Sequence, residues 1–121
     1  MPPTFLLVDD DCTLLALYKD VVEGLPVRMI FTASAKAALE IMKREQPDVL
    51  ICDYLMPEID GVELVEEVRR TWPKVRCILH TALNVPPRYG LDVPVLAKPC
   101  PPEVFRELLL DLVEEGETPR R

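Results

Sequence analysis

Apolar residues fall along the chain in two alternating patterns, short continuous runs and longer stretches of helical spacing. Phe5-Leu6-Leu7-Val8 is the first run, and Asp9-Asp10-Asp11 follows it at once. Leu14, Leu15, Leu17, Tyr18, Val21 and Val22 then recur at the spacing of one helix face, until Gly24 and Pro26 end the pattern. Val27 to Phe31 is rich in strand-forming residues. Ser34 is placed to cap a helix over Ala35–Gln46, and Pro47 stands just past its end. Val49-Leu50-Ile51-Cys52 is a second uninterrupted run and stops at Asp53, as suits a central parallel strand covered on both faces. Pro57 and Gly61 mark Tyr54 to Gly61 as a loop. Val62 to Arg70 is amphipathic, Val75 to Leu79 predicts a fourth strand, and Pro94 to Ala97 a short fifth. Glu103 to Glu115 predicts a closing helix with Val104, Phe105, Leu108, Leu109 and Leu112 inward.

Strands and helices that alternate at this spacing predict an α/β fold, a parallel sheet with helices on both faces and right-handed crossovers. The chain is expected to be a single domain over residues 1–121, with an ordered core over about 5–115 and a tail over 116–121.

Composition narrows the function classes. Nearly half the residues are apolar (49%) and 29% are charged, as in a soluble globular protein. The net charge of −7 argues against direct nucleic-acid binding and against attraction to an anionic membrane. No apolar run approaches the ~20 residues of a membrane span. Met1-Pro2-Pro3-Thr4 lacks the basic start of a signal peptide, so a cytoplasmic location is expected. Four cysteines at 12, 52, 77 and 100 form no C-x-x-C pair, which predicts reduced, mostly buried thiols.

In an open parallel sheet, sites form at the carboxyl ends of the strands. Strand one ends in Asp9-Asp10-Asp11, strand three in Asp53, strand four in His80-Thr81 and strand five in Lys98-Pro99. Carboxylates, a hydroxyl and an ammonium should therefore converge on one edge. Crowded carboxylates repel and weaken the fold unless a cation sits among them. A site of oxygen ligands alone suits Mg²⁺. With Lys98 and Thr81 beside it, such a site could neutralise and orient a transferred phosphoryl group. Each member also has an ordinary explanation. The acid run could cap the first helix, Asp53 could open a turn, Thr81 could be a plain loop residue, Lys98 a solvated charge, and His80 a satisfied core residue. The joint arrangement carries the inference.

These stretches resemble the response-regulator receiver domain, the CheY-like family of two-component signalling. The matching residues are Leu6 to Asp11, Pro47 to Pro57, Asp60-Gly61, Thr81-Ala82 and Lys98-Pro99, and the likeness runs from Phe5 to about Glu115. The resemblance implies a flavodoxin-like doubly wound sheet of five strands in the order 2-1-3-4-5. It implies that Asp53 accepts the phosphoryl group. It also implies that Asp9, Asp10, Asp53 and the Leu55 carbonyl serve Mg²⁺, Asp9 largely through water, and that Thr81 and Lys98 contact the phosphate. The donor would be a sensor histidine kinase or a histidine phosphotransfer protein, and the output partner is unspecified. The chemistry would be self-catalysed phosphoryl acceptance with slow loss of the group, not enzymatic turnover. A weak homodimer is compatible with the family.

The sequence also departs from the family pattern. Val95 stands where the family usually carries a switching aromatic, and Cys100 where another aromatic often follows the Lys-Pro pair. The stretch from Ala82 to Pro94 is about five residues shorter than usual, and it holds Pro86, Pro87 and Gly90. A proline inside a helix costs about 3 kcal/mol, so the fourth helix of the family is expected to be short or absent here. Shortened forms of this kind resemble the receivers attached to hybrid sensor kinases, and an output face other than the fourth helix is expected. Leu55 and Leu83 flank the phosphate position and cannot hydrogen-bond an attacking water, which predicts a long-lived phosphoryl group.

Two other readings compete with this one. Asp9-Asp10-Asp11-Cys12-Thr13-Leu14 matches D-x-D-x-T-L, which resembles haloacid-dehalogenase-type phosphatases with Asp9 as nucleophile. That family's later acidic pair is missing, and Asp53 would have no role. A pseudo-receiver that binds partners without phosphate is the second, and the retained aspartates, Thr81 and Lys98 argue against it.

Overall fold

Side chains alternate sides along a strand, so consecutive apolar residues are stable only where both faces of the sheet are covered. The computed structural model describes residues 2–54, 56, 59–81, 93–97 and 100–117. They form β1 (Thr4–Val8), α1 (Cys12–Val21), β2 (Arg28–Thr32), α2 (Ala35–Glu45), β3 (Val49–Asp53), α3 (Gly61–Thr71), β4 (Arg76–Thr81), β5 (Val95–Ala97) and α4 (Pro102–Glu117). All strand pairs are parallel and the order is β2-β1-β3-β4-β5, the doubly wound α/β arrangement expected.

The apolar runs divide between two cores. Leu6, Val8, Leu50, Cys52, Cys77 and Leu79 face α2 and α3, where Ala38, Met42, Val62, Val65 and Val68 meet them. Phe5, Leu7, Val49, Ile51 and Ile78 face α1 and α4, against Leu15, Tyr18, Phe105, Leu109 and Leu112. Every residue of β3 is buried. That central strand ends in Asp53, so the carboxylate is presented by the most constrained strand of the sheet.

Helix ends follow from local chemistry. Ser34 caps α2 as expected, its hydroxyl accepting from the Ala37 N–H at 3.1 Å. Gln46 ends that helix in the left-handed region at φ 47°. Asp60 opens α3 with a capping box, accepting from the Glu63 N–H at 2.8 Å while the Glu63 carboxylate reaches back to the Asp60 N–H. This helix begins at Gly61, one residue before the apolar pattern at Val62. Arg106 of α4 donates to the Val21 and Glu23 carbonyls at the carboxyl end of α1, which ties the two helices together.

Three expectations change. Val104 is 45% exposed, not inward. The buried stripe of α4 runs through Phe105, Leu109, Leu112 and Val113, and Val104 lies about 100° around the helix from Phe105. Leu17, on the apolar pattern of α1, is likewise exposed. The fourth strand extends past Leu79 to Thr81, so His80 and Thr81 are strand residues. The fourth helix in chain order is present and closes the chain. The segment 82–92, where a further helix was expected to be short or absent, lies outside the described residues. Among the described residues no helix is long and apolar enough to cross a membrane.

All four cysteines are free, with Cys52, Cys77 and Cys100 buried and Cys12 exposed. Burial pushes the Cys77 thiol up to about 11, against a smaller opposing pull from Arg69, and burial also raises Cys100. The reactive species is the thiolate, so both are slow nucleophiles near neutral pH. A disulfide reagent at neutral pH should modify one thiol per native chain, at Cys12, and all four in denaturant. Rapid native modification of a second cysteine would contradict this packing.

Candidate functional site

The three consecutive aspartates after β1 divide their tasks. Asp11 is the N-cap of α1, its carboxylate accepting from the N–H groups of Thr13 and Leu14 at 3.0 and 3.2 Å. The capping alternative for the acid run is therefore met by Asp11. Asp9 is fully buried. Its N–H donates to the Thr32 carbonyl at 3.1 Å, and its carboxylate accepts from the Asp11 N–H at 2.9 Å. Asp10 is exposed.

Asp53 ends β3 one sheet position across from β1, since Val8 pairs with Cys52. Asp9, Asp10 and Asp53 each bring a carboxylate oxygen to within 4.8 Å of the others. Thr81 is buried at the end of β4, one residue beyond the Asp53–His80 pair. It stands in register with Ala97, the last residue of β5. The structure thus brings Asp9, Asp10 and Asp53 together and sets Thr81 at the same sheet edge. Lys98 and Leu55, the remaining candidate residues, lie outside the described residues.

The negative charge of this edge is felt by its neighbours. Burial raises the Cys52 thiol well above the usual range, and the Asp53 charge adds most among the electrostatic causes, ahead of Cys77, Asp9 and Asp60. Such a field favours a cation. The donor set is carboxylate oxygen, two of its three members buried and one exposed. Mg²⁺ takes one or two carboxylates and keeps several waters, so a partly open, all-oxygen group of this kind fits it.

Two supporting features were missed in the sequence. Gly61 sits against the end of β3: a Cβ there would lie 2.1 Å from the Asp53 carbonyl oxygen and 2.9 Å from the Tyr54 Cα. Its N–H donates to the Tyr54 carbonyl at 2.6 Å. The Asp60…Glu63 capping spacing was the available signal for this helix start. The second feature is the buried Tyr18 hydroxyl, 3.2 Å from His80 Nε2 across 62 residues of sequence. No local pattern could have announced it.

A model of the family described as the response regulator receiver domain matches residues 5–90. The chain belongs to that family. The receiver domain is a signalling domain of two-component response regulators. The transcriptional regulatory protein AfsQ1 of Streptomyces coelicolor is 33% identical over 84 residues, which is 69% of this chain and 36% of that protein. The receiver thus spans about a third of that relative's length. Among solved structures, a CheY-like receiver domain protein from Methanospirillum hungatei superposes with a TM-score of 0.85 at 24% identity, covering 97% of this chain and 98% of that one. The BeF3-activated DrrB receiver domain superposes at 0.79 and 22% identity, covering 94% and 99%. These likenesses establish the fold of the receiver.

Helix propensity alone would make Gly61→Ala stabilising by roughly 0.5–1 kcal/mol. The clash with backbone atoms of the Asp53 turn opposes it, and overpacking of this kind costs about 1–3 kcal/mol. Gly61→Ala should therefore lower the urea midpoint of the receiver. A raised midpoint would show that the β3–α3 approach is looser than described.

Proposed function

We propose that this receiver accepts a phosphoryl group on Asp53 from a phosphohistidine donor, in a Mg²⁺-dependent reaction, and that the acyl phosphate switches its partner binding. The observation that carries this reading is the meeting of Asp9, Asp10 and Asp53 oxygens within 4.8 Å at the edge where β4 places Thr81. The step balances simply. An Asp53 carboxylate oxygen forms the new O–P bond, the P–N bond to the donor imidazole breaks, and the imidazole leaves with a proton from solvent.

The chain's own residues have distinct parts. Asp53 is the nucleophile at the end of a strand buried along its whole length, which fixes its approach. Asp9 and Asp10, with Asp53 and the Leu55 carbonyl, would hold Mg²⁺. The bound cation supplies positive charge against the phosphoryl oxygens. The Thr81 hydroxyl and the Lys98 ammonium would receive the remaining phosphoryl oxygens. Asp9, fully buried and engaged by the Asp11 N–H, is better suited to steady a ligand shell than to attack phosphorus.

In this reading the acceptor is its own substrate, so the protein relays a signal and does not turn over. It acts as one domain in the cytoplasm. Its donor is a sensor histidine kinase or histidine phosphotransfer protein, and its output goes to a further protein or segment.

Incubation with Mg²⁺ and acetyl phosphate tests the reading. A single acid-stable, base-labile adduct should form and map to Asp53, and it should vanish in Asp53→Asn or when chelator removes the cation. Mapping to Asp9 would instead support the phosphatase alternative. A native chain that stays unmodified would leave a phosphate-independent interaction module.

A further inference from the structure

A buried polar contact among the described residues plays no part in the proposed chemistry. The Tyr18 hydroxyl of α1 and Nε2 of His80 on β4 lie 3.2 Å apart, and both residues are about fully buried. The Tyr18 ring stacks on Phe105 of α4, with centroids 4.0 Å apart and planes within 4°. His80 tilts against both rings, at 5.5 Å from Tyr18 and 6.2 Å from Phe105. Burial, helped by the charges of Cys100 and Asp9, holds the Tyr18 phenol protonated far above neutral pH, so its proton stays available to the contact.

This cluster touches the proposed site through the backbone. His80 pairs in register with Asp53 on one side and Leu96 on the other, and Thr81 is the next residue. Side chains alternate along a strand, so Thr81 and His80 project to opposite faces of the sheet. A shift of the β4 end toward a group on Asp53 must therefore move the imidazole in the α1–α4 layer. A buried hydrogen bond left unmade is expensive, and close-packed cores switch between discrete arrangements instead of deforming smoothly. The imidazole can keep its bond only if Tyr18 follows. Arg106, next to Phe105, binds the carboxyl end of α1, so the two helices respond together. The residues just before Tyr18 and Phe105 are Leu17 and Val104, two exposed apolar side chains.

We infer that the Tyr18–His80 contact couples the state of Asp53 to the α1–α4 surface around Leu17 and Val104. The inference rests on the phosphoryl-acceptor reading above. It gives the receiver a conducting element on the sheet face opposite Thr81, whereas Val95, in register with Leu79 on the same face as Thr81 and half exposed, provides no ring.

The test uses amide NMR of the whole chain, with Mg²⁺ and beryllofluoride added as a phosphoryl mimic. His80 is the only histidine, so its ring nitrogens give one unambiguous probe. In the native chain, the ring nitrogens and the amides of Leu17, Phe105 and Arg106 should shift when the mimic binds. Tyr18→Phe keeps the stacked ring and removes the hydroxyl. It should still take up acetyl phosphate on Asp53, while the α1–α4 response falls about fivefold, the factor that one buried neutral hydrogen bond is worth. His80→Gln, which can still bond the phenol, should keep most of the response, and His80→Leu should lose it. That second pair decides the matter if Tyr18→Phe fails to fold. An undiminished response in Tyr18→Phe or His80→Leu overturns the inference alone. A native chain that takes neither phosphoryl nor mimic overturns the phosphoryl reading, and the inference with it.

Discussion

Three carboxylates from two neighbouring strand ends meet across gaps of no more than 4.8 Å. Ionised carboxylates about 5 Å apart repel by roughly 3 kcal/mol at an effective dielectric near 20. A domain of this size is stable by only about 5–15 kcal/mol, so crowding of like charge is a cost that the fold must offset. The surrounding structure opposes it by removing freedom. Asp9 is pinned by Thr32 behind it and Asp11 ahead of it, Asp53 ends a wholly buried strand, and Gly61 lets α3 close directly on the Asp53 carbonyl. A cation in the gap would turn the same geometry from a cost into a source of stability.

The position of this gap follows from topology. Chain order reverses across β1, with β2 on one side and β3 on the other. Crossover helices leave such a point toward opposite faces, which opens a crevice at the carboxyl ends of the two central strands. Here those strands are β1 and β3, the two that carry the acids. The α2–α3 layer supports the turn after Asp53 through Asp60 and Gly61. The α1–α4 layer stands behind His80 through Tyr18 and Phe105.

Much of this was legible in the sequence because the central strands are continuous apolar runs, which admit only a doubly covered sheet. Ser34 marked its helix start for the same kind of local reason. The division of the aspartate run was not legible. Asp9, Asp10 and Asp11 are identical in type and differ only in where the backbone turns, one into the core, one to solvent and one to a helix cap. Val104 and Leu17 sit at apolar positions of amphipathic patterns yet face outward, since a pattern fixes a stripe only to within a residue. Tyr18 and His80 are paired by tertiary packing across 62 residues, beyond the reach of any periodicity. The role assigned to Leu55 rests on family resemblance, and that of Lys98 on its place at the end of the fifth strand together with that resemblance.

Charge crowding at Asp9, Asp10 and Asp53 is the constraint that the rest of the receiver accommodates. Urea unfolding of the native chain and of Asp10→Asn, each with and without Mg²⁺, tests this most directly, because Asp10 is exposed and its neutral isostere leaves the packing intact. Without the cation, Asp10→Asn should be the more stable of the two. Adding Mg²⁺ should raise the native midpoint and raise the variant's much less. Equal midpoints in all four conditions, or a variant less stable than the native chain without Mg²⁺, would contradict it.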